Sequence, residues 1–153
     1  MFINYLIEKK YVIANLDLFA GDLFFDNLFF DLISILEKYY IFLDNEFHNL
    51  LWEQKFVIMI PCNMSFCKDD EKIIKVKNIC NDFFKKYHIK ILFSYSTDGI
   101  YALDSREQEN LDETYFDKIF AFCEEMGWGV HPMLGYENVD NIIKNYEWFK
   151  QKY

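Results

Sequence analysis

At 153 residues the chain is long enough for one domain with a substantial core, and a composition 52% hydrophobic and 20% aromatic excludes a disordered polymer. A formal charge of −9, with Arg106 as the only arginine, excludes direct nucleic-acid binding, which relies on clustered Lys and Arg. Carboxylates at Asp17, Asp22, Asp26 and Asp31 break the longest apolar runs below the roughly 20 residues that span a bilayer.

The N-terminus MFINYLIEKK places its lysines after the apolar residues, the reverse of a secretory signal, so a cytoplasmic protein without membrane association is expected. Thiols stay reduced in that compartment, and Cys62, Cys67, Cys80 and Cys123 are expected to form no disulfides. Cys80 and Cys123 fall on apolar faces of helical patterns and read as small core hydrophobes. Cys62 and Cys67, in PCNMSFC, give two sulfur ligands where a structural zinc site needs four, so no metal is expected.

In chain order, KKYVIANLDLFAG predicts a buried strand over about residues 11–19, stopped by Gly21. DLFFDNLFFDLISILEKYY follows as a helix whose apolar face is Phe24, Leu28, Leu32, Ile35 and Leu36, with Asp22 at its positive end. Phe24, Phe25, Phe29 and Phe30 spread over too wide an arc to face one sheet, so some of them are expected at an interface. IFLDNEFHNLLWEQ reads as a mixed connection with room for a short helix. KFVIMIP is a second, continuously apolar strand ended by Pro61.

KDDEKIIKVKNICNDFFKKYH is a helix capped by Asp69 or Asp70. Its buried stripe is Ile73, Val76, Cys80, Phe83, Phe84 and Tyr87, and Lys85 and Lys86 suit its C-terminal end. IKILFSYSTDG is a third strand that runs into the turn pair Asp98-Gly99. LDETYFDKIFAFCEEMG makes a helix with Asp112 as cap, Phe116, Ile119, Phe120 and Cys123 inward, and Gly127 as its stop. WGVHPML is a fourth strand, and ENVDNIIKNYEWFKQKY a final helix with Val139, Ile142, Ile143, Tyr146 and Phe149 on one side.

Four strands, each followed by a helix, predict an α/β fold with a parallel sheet covered by helices, in a single domain over 1–153. Right-handed crossovers place the strand-to-helix turns along one edge, which collects Gly21, Asp22, Asn63, Ser94, Ser96, Asp98, Gly99, His131, Tyr136 and Glu137. Ser96, Asp98 and His131 include a nucleophile, a carboxylate and a base, but no strained G-x-S-x-G turn accompanies them. His131 precedes Pro132 within an apolar strand and reads as structural, while His48 and His88 lie near helix ends and are expected to face solvent.

This edge resembles that of the barrel of radical S-adenosylmethionine enzymes, in particular the peptide-maturase branch. LDLFAGD resembles the end of the second barrel strand, where such enzymes have Gly-Gly-Glu, with Ala20 in place of the first glycine and Asp22 in place of the glutamate. VIMIPCNMSF resembles the third strand, which ends with an asparagine, and FSYSTDGIYALDSR the fourth, with Ser96, Asp98, Gly99 and Arg106. GWGVHPMLGYENVDNIIKNYEWF resembles the fifth strand and its helix. The resemblance implies a partial (β/α) barrel and a vestigial S-adenosylmethionine site at Gly21, Asp22, Ser96 and Asp98.

These enzymes hold a [4Fe–4S] cluster on three cysteines spaced C-x₃-C-x₂-C, and no three of the four cysteines here reproduce that spacing. The expectation is therefore a protein without iron–sulfur cluster or catalysis of its own, binding a protein partner or a second copy through exposed sheet edges and an acidic, aromatic surface. A regulator or inhibitor carried by a mobile element, for example an anti-CRISPR protein, fits that description. The alternative is a remnant that still binds S-adenosylmethionine or a peptide and takes its cluster from another chain. Net charge by itself speaks first to solubility.

Overall fold

The computed structural model describes residues 2–18, 23–24, 28–97, 113–132 and 140–152. Helix and strand alternate along them: α1 (Phe2–Glu8), β1 (Asn15–Asp17), α2 (Leu28–Glu53), β2 (Val57–Pro61), a 3₁₀ turn (Ser65–Lys68) and α3 (Asp70–Tyr87). Then come β3 (Lys90–Thr97), α4 (Glu113–Met126), β4 (Val130–Pro132) and α5 (Ile142–Lys152).

All neighbouring strands are parallel, and their order is sequential, β1-β2-β3-β4. Leu16 pairs with Ile58, Ile58 with Ile91, and β4 joins only the last three residues of β3, Tyr95 to Thr97. The sheet is open, with β1 and β4 outermost among the described residues. Right-handed crossovers that always step the same way put successive helices on the same face. The rings confirm it: Phe93 of β3 lies 5.7 Å from Phe29 of α2, 6.4 Å from Phe122 of α4 and 4.7 Å from Trp128.

One-sided cover makes the strands alternate, where a continuous burial was expected. Ile58, Ile60, Ile91, Phe93 and Tyr95 are buried, whereas Met59 is 39% exposed and Val57, Leu92, Ser94 and Ser96 are half-buried. An apolar run in sequence reports only that both faces are apolar, and the winding decides which one is covered.

Neighbouring helices are also tied in sequence order by ion pairs. Lys86 of α3 meets Glu37 of α2 at 3.3 Å, Lys118 of α4 meets Asp70 of α3 at 2.7 Å, and Lys152 of α5 meets Glu113 of α4 at 3.3 Å. Exposed pairs of this kind contribute about 0–1 kcal/mol each, so they report adjacency more than stability. The stabilising mass is the core beneath, where Phe24 lies 4.6 Å from Phe29 and 4.3 Å from Phe66.

Several elements differ from the sequence expectation for identifiable reasons. The first strand is three residues long, extended by bonds from Val57 N–H to Ala14 O (3.0 Å) and from Leu18 N–H to Met59 O (2.9 Å). The backbone before it is taken by Tyr39 of α2, whose hydroxyl accepts from Ile13 N–H at 2.9 Å and donates to Tyr11 O at 2.8 Å. Segment 41–54 is mostly helix, because α2 continues to Glu53 through a kink at Phe47 (φ −136°, ψ 36°). There Leu43 and Leu51 stay buried, while Asn45 and Glu46 face out.

The buried stripe of α2 is Phe29, Ile33, Leu36, Tyr40 and Leu43, one position away from the expected Leu28, Leu32 and Ile35. Phe24 and Phe29 are core and Phe30 is half-buried under Lys75 at 3.8 Å, while Phe25 lies outside the described residues. Phe24 escapes the helical arc because it precedes the helix.

In α3 the side chain of Asp69 accepts from Glu71 N–H (2.9 Å) and Lys72 N–H (3.2 Å), the expected cap, but Phe84 is exposed. α4 stops as expected at Gly127 (φ +67°), whose conformation lets Trp128 N–H reach Cys123 O at 2.8 Å. In α5 the expected inward residues Ile142, Ile143 and Tyr146 are exposed, and Trp148 is buried instead, 4.9 Å from Phe116 and 5.5 Å from Phe120. The cap at Asp112 and the apolar Val139 lie outside the described residues.

Candidate functional site

The C-terminal ends of the parallel strands form one edge, and β2 contributes most of its described geometry. Its chain leaves the sheet through Cys62, whose N–H donates to Ser94 O at 3.1 Å, and turns at Met64, a left-handed residue (φ 57°). Met64 N–H donates to Cys62 Sγ at 3.0 Å, which holds that turn from within. From α4, the Tyr115 hydroxyl donates to Met64 O at 2.9 Å and lies 3.2 Å from Asn63 O. The Asn63 side chain is left exposed at the edge, and Lys68 stands 5.4 Å from the centre of the Tyr115 ring.

Of the four residues assigned to a vestigial cofactor site, Ser96 is placed: half-buried near the end of β3, with His131 of β4 opposite it in register. Gly21, Asp22 and Asp98 lie outside the described residues, as do Gly99, Arg106, Tyr136 and Glu137. The described geometry therefore brings together Ser94, Ser96, Asn63 and the backbone of His131.

All four cysteines are buried. Burial pushes Cys67, Cys80 and Cys123 up to about 12 from an ordinary 9.0, which favours the protonated thiol. Among the described residues no three His, Cys, Asp or Glu side chains gather to hold a metal ion, and no helix is long and apolar enough to cross a membrane.

Three features were not foreseen. A cavity of about 250 Å³ lies at the other end of the sheet, where the start of β3 meets the ends of α3 and α4 at Lys90, Phe84 and Trp128. Nearby, the half-buried His88 caps α3 (φ 57°) and stacks on Trp52 at 5.2 Å and 8°, contrary to the solvent-facing role expected of it. His48, as expected, is exposed, 2.7 Å from Asp44 Oδ1. The third feature is a pair of apolar flanks: Phe2, Tyr5 and Tyr11 on α1 and just after it, ahead of β1 in the chain, and Ile142, Ile143 and Tyr146 on α5 after β4. Aromatic richness signals such surfaces in general, but nothing in the periodicity assigns these residues to the outside.

Comparison with protein-family models, with curated proteins and with solved structures finds no match.

Proposed function

We propose that the protein is a non-enzymatic protein-binding module, regulating or inhibiting the protein it docks on, and built from four βα units of an incomplete barrel. The observation that carries this reading is the open sheet: its two outer strands have no outer neighbour among the described residues, and the segments before β1 and after β4 expose large apolar side chains. Clustered apolar exposure of this kind marks an interaction surface, as does an open strand edge. The sequential strand order supports the barrel reading, since doubly wound sheets reverse direction at a switch point and barrels do not. The radical S-adenosylmethionine resemblance is then one of scaffold, with Gly21, Asp22, Ser96 and Asp98 a vestige of the cofactor site.

Calorimetry with S-adenosylmethionine should give no binding heat, and anaerobic reconstitution with iron and sulfide should leave the protein colourless. Micromolar binding or a brown, cluster-bearing protein would overturn the reading. Complexes formed by the wild type should be lost in a Tyr5→Asp/Ile143→Asp double variant. Their survival would remove the flanks from the interface.

A further inference from the structure

We infer that the two flanks are complementary halves of one self-association surface, so that a second copy of this chain joins the β1 side of one molecule to the α5 side of the other. The inference rests on the protein-binding reading above and names the occupant.

Charge gives the first argument. α2, which follows β1, carries five carboxylates against one lysine, with Glu37 held by Lys86 and Glu46 by Lys10, whereas α5 carries three lysines against one carboxylate in a chain of net charge −9. Of these lysines, Lys152 is held by Glu113, while Lys144 and Lys150 are exposed and form no ion pair among the described residues. Two copies related head to head would set like charges together, whereas β1 side to α5 side pairs opposite ones.

Shape gives the second. Each flank presents exposed apolar rings or branches at helical surface positions, with Tyr5 48% exposed and Ile143 74% exposed. At the edge itself, pairing through Ala14 and Leu18 turns the N–H and C=O of Asn15 and Asp17 away from β2. Topology gives the third. Two four-stranded parallel sheets wound in the same sense, joined β1 to β4 at both junctions by a two-fold axis along the strands, make a closed eight-stranded arrangement. Closure removes every open edge and turns the half-exposed face bearing Met59, Leu92 and Ser94 into an interior.

The test is the solution mass by size exclusion with light scattering over a dilution series. The wild type should run at twice 18.6 kDa when concentrated. Ile143→Asp and Tyr5→Asp, each at an exposed position and each checked for folding by circular dichroism, should run as monomers. Mixing those two variants should restore a dimer, because the pair keeps one intact junction, and reversing Lys144 and Lys150 to glutamate should weaken the wild-type dimer at least tenfold. A wild type that stays monomeric, a dimer indifferent to both substitutions, or a mixture that stays monomeric each overturns the inference. A monomeric wild type that still binds another protein leaves the protein-binding reading standing, whereas binding of S-adenosylmethionine overturns that reading whatever the mass.

Discussion

The two faces of this sheet are built from similar residues and meet opposite fates. On β2 the neighbours Ile58 and Ile60 are fully buried, while Met59 between them is partly exposed. On β3 the rings of Phe93 and Tyr95 go under the helices, while Leu92, Ser94 and Ser96 face the other way. Side-chain hydrophobicity does not separate Met59 from Ile58. What separates them is winding: each crossover steps in the same direction, so the helices gather on one face and the opposite face depends on something other than the described elements.

The largest effect expected from breaking this asymmetry is at Phe93. Its ring touches those of Phe24, Phe29, Phe66, Phe122 and Trp128, so Phe93→Ala opens a cavity among five aromatic neighbours. A loss of about 3–5 kcal/mol is expected in urea unfolding monitored by circular dichroism. Close behind comes alkaline destabilisation. Cys67, Cys80 and Cys123 all lie on the helix-covered side, with folded values raised from 9.0 to about 12 by burial, and burial also raises Tyr40. Such groups hold their protons more tightly when folded than unfolded. Their contribution is therefore complete below about pH 9 and is lost as the pH climbs through the folded values, at about 1 kcal/mol per thiol per pH unit. Urea midpoints should be flat with respect to these groups from pH 7 to 9 and should fall steeply by pH 10 to 11. A midpoint unchanged at pH 11 would contradict the burial of the thiols.

How much of this asymmetry the sequence discloses varies by element. Strands β2 and β3, the helix from Asp70 to Tyr87 with its Asp69 cap, and the glycine stop at Gly127 are legible because their signals are local: an apolar run, a carboxylate at the first turn, a glycine after the last. α2 is not, because apolar residues surround it and tertiary contact alone chooses Phe29 and Ile33 over Leu28 and Leu32. α5 fails for the same reason, with two apolar stripes and Trp148 preferred over Ile142, Ile143 and Tyr146 by the rings of α4. As for the candidate site, its edge follows from strand order, and Ser96 is found on it. The apolar flanks and the cavity near Trp128 arise where distant segments meet, and no short pattern marks them.

A smaller effect is expected on the rim of the helix layer. Asp69→Ala removes the acceptor for Glu71 N–H and Lys72 N–H at the start of α3 and should cost about 1 kcal/mol, without changing the slope of the urea transition. Asp69→Asn should recover most of that loss, since an amide oxygen caps nearly as well as a carboxylate. A loss unrelieved by asparagine would assign the effect to charge beside Asp70 and Glu71 instead of to capping.

The smallest effect is the most informative about the open face. Met59 is 39% exposed, pairs in register with Asp17 on one side and Leu92 on the other, and alternates away from the helices. In a monomer, Met59→Thr replaces a flexible apolar chain at a partly solvated strand position with one of good strand propensity, and the change in stability should stay within about 0.5 kcal/mol. In the closed pair the same side chain faces an interior, where losing its apolar surface carries the larger cost of a core truncation. Thermal unfolding at low and high protein concentration separates the two situations. A Met59→Thr penalty that is near zero when dilute and grows with concentration is the signature of a face buried only by a second copy. A penalty that is large already in the dilute monomer would mean that this face is covered from within the chain, and the asymmetry between the two faces would then belong to the described elements alone.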